Sequence, residues 1–417
     1  MVDGISRRPS RDGVSRRDFL RRSARASIAF TSAAAFLSAC AADRSSLGAS
    51  PGLARPDNPV TLPLHDDVPL IDDGLQPETN ATLRIYNWSE YLWPRVVEEF
   101  AEKHGAKVEI SNFVNMDEAI SRLQSGDDEF DVFFHRIDVI GKLVEAKLLR
   151  PLNHSYIPNL EKNVWPVYHN PFYDQGARYG VPYTVYTTGI AWRVDQVPND
   201  IAGMSNPYEI FWDESFAGKI HLIDDYREVI SMVLLKNGIT DLNTTSTAAL
   251  RTAASDLEGL RDIVGGLDAD AFSDLPKGRS WVHQAWSGDM IAAQYYFPEG
   301  QDPSVTRYWF PSGGDGAVAN DSIGVLSGGR NPVLAHHFLN YMLDFDVSVK
   351  NFSWNGYQPP MSRLDPTALV QSDFVPPQVQ NTIVRRQDFN HGFMQLQLAP
   401  DTDAMWHKTW TGFREHV

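Results

Sequence analysis

The chain has 417 residues, a formal charge of −16 and a single cysteine. One cysteine excludes an intramolecular disulfide, so a buried core must hold the body together, and the ~340 residues beyond the N-terminal leader suffice for two domains. The acid excess speaks against nucleic acid or anionic lipid as a partner and is compatible with a cationic ligand drawn in by the overall field.

The leader carries two signals, one inside the other. Ser15-Arg16-Arg17-Asp18-Phe19-Leu20 resembles a twin-arginine export signal, and Leu37-Ser38-Ala39-Cys40 resembles a lipobox whose cysteine is lipidated after cleavage. The run from Ala24 to Ala39 is interrupted by Arg25 and diluted by Ser and Thr, so it falls short of the ~20 apolar residues of a spanning helix. Residues 1–40 are therefore expected to be a signal, with Cys40 as the lipid anchor of a protein exported folded to the periplasm or the outer face of the cell membrane. The first forty residues hold eight Arg and three Asp, which leaves 29 basic against 50 acidic residues in the remainder. Residues 41–80, rich in Ala, Ser, Gly, Pro and Asp without an apolar period, read as a flexible tether.

Order is predicted to begin at Ala81. Leu83 to Tyr86 is a strand pattern broken at Asn87. Pro94 then opens a helix with Val96, Val97 and Phe100 on one face and Gly105 as its stop, and Val108 to Phe113 is the next strand. A helix over Met116 to Gln124, a strand over Phe130 to Phe134 and a helix over Asp138 to Lys147 repeat the theme. Alternating strands and helices predict an α/β fold with a mainly parallel sheet, whose ligands bind where strands end and helices begin. The loops Asn87 to Trp93 and His135 to Ile137 are the places that rule selects.

Four segments occur in one order: Ile85-Tyr86-Asn87-Trp88-Ser89-Glu90-Tyr91; Phe130-Asp131-Val132; Val181-Pro182-Tyr183 with Thr187-Thr188-Gly189-Ile190; and Asp224-Asp225-Tyr226-Arg227-Glu228-Val229. Together they resemble the spermidine/putrescine-binding proteins of bacterial ABC importers, from about Ala81 to Gln358 with a weaker tail. The resemblance implies a two-lobed, type II periplasmic-binding-protein-like α/β fold with the ligand in the inter-lobe cleft. The chain would cross between lobes near Tyr186 to Gly189 and near Ala317 to Asn320. Residues 81–187 and 320–358 would form the first lobe, and 188–319 and 359–417 the second. It further implies closure by a hinge and delivery to a membrane permease by a protein expected to be monomeric.

A polyamine site needs carboxylates for its ammonium groups, each charge-assisted bond contributing ~1.5–3 kcal/mol, and aromatic walls for its methylenes. Trp88, Ser89, Glu90 and Tyr91 mix both in one loop. By resemblance, Trp88 and Tyr91 wall the cleft and Glu90 meets an ammonium; as plain packing they would be core aromatics and a solvated acid. The resemblance places Asp225 and Glu228 facing ligand from the second lobe, although Asp followed three residues later by Glu is also a capping box. Asp321 matches the central ammonium-binding aspartate, with ordinary turn chemistry as its alternative. Tyr357 matches a ligand-contacting tyrosine or is a core residue.

The departures concern the ligand. His135-Arg136-Ile137-Asp138 stands where the family has a Pro-Ser-x-Tyr-like loop, and Arg136 would repel an ammonium unless Asp131, Asp138 or another carboxylate neutralises it. Ala319 replaces an expected tryptophan, and Gln294, Tyr295 and Tyr296 stand where another is expected. An amine-bearing zwitterion, with Arg136 taking its anionic end, is the alternative solute. A chemosensory receptor on the same fold is an alternative role, and a carboxylate-pair hydrolase using Asp225 and Glu228 is less well supported than capping. No catalytic motif, cofactor loop or metal-ligand spacing is present in the sequence, and His336-His337 is an adjacent pair on a helix with its side chains on different faces. The chain is thus read as a binding protein without enzyme activity, cofactor or metal.

Overall fold

The computed structural model describes residues 52–113 and 115–417. Arg16, Arg17 and Cys40, with the export and lipidation expectations they carry, lie outside the described residues.

Among the described residues, ten strands form one sheet: β1 (Thr82–Trp88), β2 (Lys107–Phe113), β3 (Val132–Arg136), β4 (Leu149–Arg150), β5 (Val181–Arg193), β6 (Ile220–Leu222), β7 (Val264–Leu267), β8 (Val282–Trp286), β9 (Thr306–Trp309) and β10 (Ala317–Leu326). Their order is β2-β1-β3-β10-β5-β8-β6-β7, with β4 on β10 and β9 on β5. The strand, helix, strand units pair in parallel, β1 with β2 and β3, and β6 with β7 and β8. The expected mainly parallel sheet is in fact mixed. β10 runs antiparallel to β3 and β5, and β5 antiparallel to β8 and β9, because the two long strands carry the chain out and back.

Those two strands join the lobes. β5 is buried at every one of its 13 residues. Its first residues pair with β10 beside β3, and its last, Thr188 to Trp192, pair with β8. Each lobe has cores on both faces of the sheet, since successive strand residues point to opposite sides. Ile85 and Phe134 enter one core of the first lobe and their neighbours Tyr86 and Phe133 the other. In the second lobe Ile190 and Trp192 enter one core and Ala191 the other. The C-terminal helix Pro400–Arg414 brings Trp406, Trp410 and Phe413 into the second lobe's core.

Local signals act where they were expected. Pro94 opens the helix Pro94–His104, and Gly105, left-handed at φ 58°, returns its amide to Ala101 and Glu102 carbonyls. Asp321 is not in a turn: it lies within β10, opposite both Arg136 and Thr184, beside a register shift. Arg136 is likewise not in a loop. Pairing with β10 extends β3 beyond Phe134 to include His135 and Arg136.

Residues 53–80 correct the tether expectation. Val60, Leu62, Val68 and Ile71 are buried, Val60 exchanges backbone hydrogen bonds with Phe172 and Gln175, and Tyr179 Oη donates to the Pro63 carbonyl. Asn153 Nδ2 donates to the Ile71 carbonyl, and Glu78 accepts from the Val333 and Leu334 amides, capping the helix Pro332–Met342. Apolar residues without helical or strand period escape a periodicity search, yet here they bind as an irregular strap.

Candidate functional site

The site is built on the strand ends where the lobes meet. After β1, the loop Trp88 to Tyr91 is fixed through its last residue: the Tyr91 carbonyl accepts from Tyr183 Oη at 2.5 Å and Asn355 Nδ2 at 2.9 Å. Glu90, half-buried, takes the left-handed backbone at φ 56° that lets the chain turn there. Tyr91 Oη donates to Asp321 Oδ2 at 2.8 Å and lies 2.6 Å from Thr184 Oγ1. Trp88 packs on Phe113 with ring centroids 4.4 Å apart, and Ser89 is exposed.

Asp321 is buried and also accepts from Tyr186 Oη at 3.3 Å. Burial pushes its carboxyl up to about 6, against the opposing pull of the Tyr91 hydroxyl and the Arg136 charge. Arg136 forks onto Asp138, with Nε to Oδ1 and Nη2 to Oδ2 both 3.1 Å, and its Nη1 reaches Asp225 Oδ2 at 2.6 Å. The neutralising carboxylates are therefore Asp138 and Asp225, one from each lobe. Asp131 is used elsewhere, accepting from the backbone amides of Arg84 and Asn331.

Asp225 caps the helix Tyr226–Lys236, accepting from the amides of Arg227 at 2.8 Å and Glu228 at 3.2 Å. The capping box is only half made. The Asp225 amide donates to the Ile223 carbonyl, and Glu228 turns away to accept from Trp286 Nε1 at 3.0 Å. Glu228 Oε2 is buried without a hydrogen-bond partner and lines a cavity of about 10 Å³, at the margin of holding one water. Burial, with the nearby Asp225 charge, pushes its carboxyl up to about 7.

Tyr357 joins this group through Asp289, to whose Oδ1 it donates at 2.8 Å. Burial raises the Asp289 carboxyl to about 8, partly offset by the Tyr357 hydrogen bond. The Tyr357 ring lies so close to Gly288 that a Cβ there would sit 2.5 Å from it. Edge-on contacts then run from Tyr91 to Tyr357 at 5.0 Å, Tyr357 to Tyr186 at 6.0 Å, and Tyr186 to Trp286 at 6.3 Å. Gln294 does not join them: its amide donates to the Ile291 carbonyl one turn back.

The structure thus brings together Tyr91, Arg136, Asp138, Asp225, Glu228, Asp321 and Tyr357 from the predicted set. It adds Tyr186, Trp286 and Asp289. Trp286 to Asp289 lies where β8 ends and a helix begins, so the strand-end rule that selected Trp88 to Tyr91 could have found it.

Comparison with known proteins finds relatives in sequence and in fold. The family model described as bacterial extracellular solute-binding protein matches residues 95–375. The spermidine/putrescine-binding periplasmic protein 1 of Haemophilus influenzae is 28% identical over 274 residues, covering 63% of this chain and 71% of its own. The spermidine/putrescine-binding periplasmic protein of Escherichia coli K12 is 25% identical over 286 residues, covering 68% and 78%. Among solved structures, a putative spermidine/putrescine ABC transporter from Listeria monocytogenes superposes with a TM-score of 0.70 at 24% identity, covering 81% of this chain and all of that one. The fold is the two-lobed type II arrangement of periplasmic solute-binding proteins.

Proposed function

The chain belongs to the bacterial extracellular solute-binding protein family, and on that premise we propose that it captures a polyamine of the spermidine/putrescine class between its lobes and presents it to the permease of an ABC importer. The observation that carries this reading is the trio Glu228, Asp289 and Asp321. All three carboxylates are buried, take their hydrogen bonds from Trp and Tyr side chains, and hold their protons more tightly than a solvated acid. Such a group favours a cation beside it, and a ring of tyrosine and tryptophan suits methylenes and ammonium alike.

Arg136 supports the polyamine over the zwitterion. Its Nε, Nη1 and Nη2 already donate to Asp138 and Asp225, so a ligand carboxylate would have to compete with both. Arg136 serves instead to neutralise those two acids, leaving the trio for the ligand. The segment 1–40 would deliver the protein by the twin-arginine route and anchor it through Cys40, with the body acting as a monomer at the membrane face.

A thermal-shift screen of the full chain against putrescine, spermidine and free amino acids tests the reading. A ligand that binds only the folded state adds ~2.7 kcal/mol of stability at a hundredfold excess over its Kd. The melting point should rise with the diamine and triamine and stay unchanged with amino acids; a rise with amino acids alone would replace the solute by a zwitterion.

A further inference from the structure

On the far face of the second lobe's sheet, three side chains with no sequence spacing to link them converge. His221 of β6 and His283 of β8 stand in register on adjacent parallel strands, their ring centroids 5.5 Å apart. Asp268 follows β7 and is held there by its own amide, which donates to the Leu222 carbonyl at 3.0 Å. Its carboxylate reaches both rings: Oδ2 lies 2.8 Å from His221 Nδ1, and Oδ1 lies 3.2 Å from His283 Nε2. One ligand atom from each of the three residues falls within 4.8 Å of the others. Gly266 leaves room for the His221 ring, since a Cβ there would meet its Cε1 at 2.9 Å.

The far end of His283 decides what this cluster is for. Nδ1 lies 2.6 Å from the Gln284 carbonyl oxygen, which can only accept, so Nδ1 carries the hydrogen. In the neutral ring Nε2 then offers a lone pair toward a carboxylate oxygen, and two electron-rich atoms face each other. A cation between them, proton or metal, resolves that conflict. A backbone carbonyl behind the distal imidazole nitrogen is the usual support of a metal-ligating histidine, fixing tautomer and ring orientation.

We propose that His221, Asp268 and His283 bind a divalent metal ion of the zinc class. Two imidazole nitrogens and one carboxylate oxygen are a borderline donor set suited to Zn²⁺, whereas Ca²⁺ and Mg²⁺ prefer oxygen throughout. The Asp268 side chain is 25% exposed while His283 is fully buried, so the ion enters from the carboxylate side. Asp274 borders the cluster with Oδ2 3.5 Å from His221 Nδ1, and its other oxygen is engaged by Arg279 at 2.6 Å. The three residues share no hydrogen bond with the cleft acids, although the Asp268 charge reaches Asp289 through space. His283 alternates along β8 with Gln284 and Trp286, which turn to the opposite face and bond Glu228. The ion would tie β6, β8 and the chain after β7 together, stiffening the second lobe without touching the solute.

The test is titration of the full chain, free of any histidine tag and stripped with chelator, with Zn²⁺ by calorimetry and with Co²⁺ by visible absorption. One equivalent should bind, the melting point should rise, and Co²⁺ should develop ligand-field bands. Asp268→Asn keeps the side-chain shape, so the protein should fold and still bind putrescine. Its Zn²⁺ affinity should fall well over tenfold, given that losing even an outer-shell partner costs about 10–100-fold. His221→Gln should behave alike, and His104→Gln, on a helix of the first lobe, should leave metal binding unchanged. Absence of binding by the wild-type chain, or wild-type affinity in Asp268→Asn, would overturn the proposal.

Discussion

Arg136 at the end of β3 and Asp225 at the N-cap of the helix Tyr226–Lys236 meet at 2.6 Å, so a single guanidinium bonds the two lobes together. Asp138 holds the same guanidinium from its own lobe, and all three side chains are largely excluded from solvent. Arg136 is thus a built-in cation among carboxylates that could otherwise attract a ligand's ammonium.

Replacing Arg136 by Met leaves Asp138 and Asp225 buried without their counter-ion. Breaking one partner of a buried pair costs about 3–5 kcal/mol, so the ligand-free melting point should fall markedly. Putrescine should restore more stability to Arg136→Met than it adds to wild type, because the diamine then replaces the missing cation. Melting curves with and without putrescine read both effects.

Stability without ligand should decrease with rising pH. Glu228, Asp321 and Asp289, raised to about 7, 6 and 8, keep protons in the folded state that the unfolded chain releases near pH 4. Their contribution is full below about pH 4 and is lost as pH climbs through about 6 to 8. Saturating putrescine should flatten that decline, since its ammonium groups take the place of the protons. Denaturant unfolding between pH 5 and 8, with and without ligand, measures the slope.

Gly288→Ala should weaken ligand binding through Tyr357. The added Cβ would meet the ring at 2.5 Å and push its hydroxyl off Asp289. Overpacking of this kind costs about 1–3 kcal/mol of stability. Tyr357→Phe, which removes the hydroxyl and keeps the ring, should lower affinity with a smaller loss of stability. Calorimetric titration of the two variants separates the effects.

Deleting residues 53–80 should destabilise the body, contrary to the behaviour of a tether. The deletion exposes the surface under Val60, Leu62, Val68 and Ile71 and removes the Glu78 cap from the Val333 and Leu334 amides. Cap loss alone typically costs about 1 kcal/mol. Comparing this deletion with one ending at residue 52 shows whether the strap is part of the fold.

The sequence made the parallel units and the loops at their strand ends legible because period, Pro94, Gly105 and the Asp225 cap all act locally. It put Arg136 in a loop and did not reveal that Asp321 lies in a strand, since both owe their strand conformation to β10 pairing with β3 across more than a hundred intervening residues. The choice of Glu228 between capping and Trp286 was equally invisible, because Trp286 arrives from another strand. The cluster of His221, Asp268 and His283 was missed for the same reason: its chemistry exists only once distant segments meet. The strap escaped because its apolar residues bury themselves without any period.

Calorimetric titration of wild type and Asp321→Asn with spermidine shows whether the buried acids of the cleft take an amine. Asparagine keeps an accepting oxygen for one of the two tyrosines and can donate from its amide to the hydroxyl oxygen of the other, so the variant should fold. Wild type should bind saturably and one-to-one, and Asp321→Asn should lose about 10- to 100-fold in affinity, the worth of one charge-assisted hydrogen bond. Equal affinity in the two proteins, or no spermidine binding by wild type, would contradict that role for the acids.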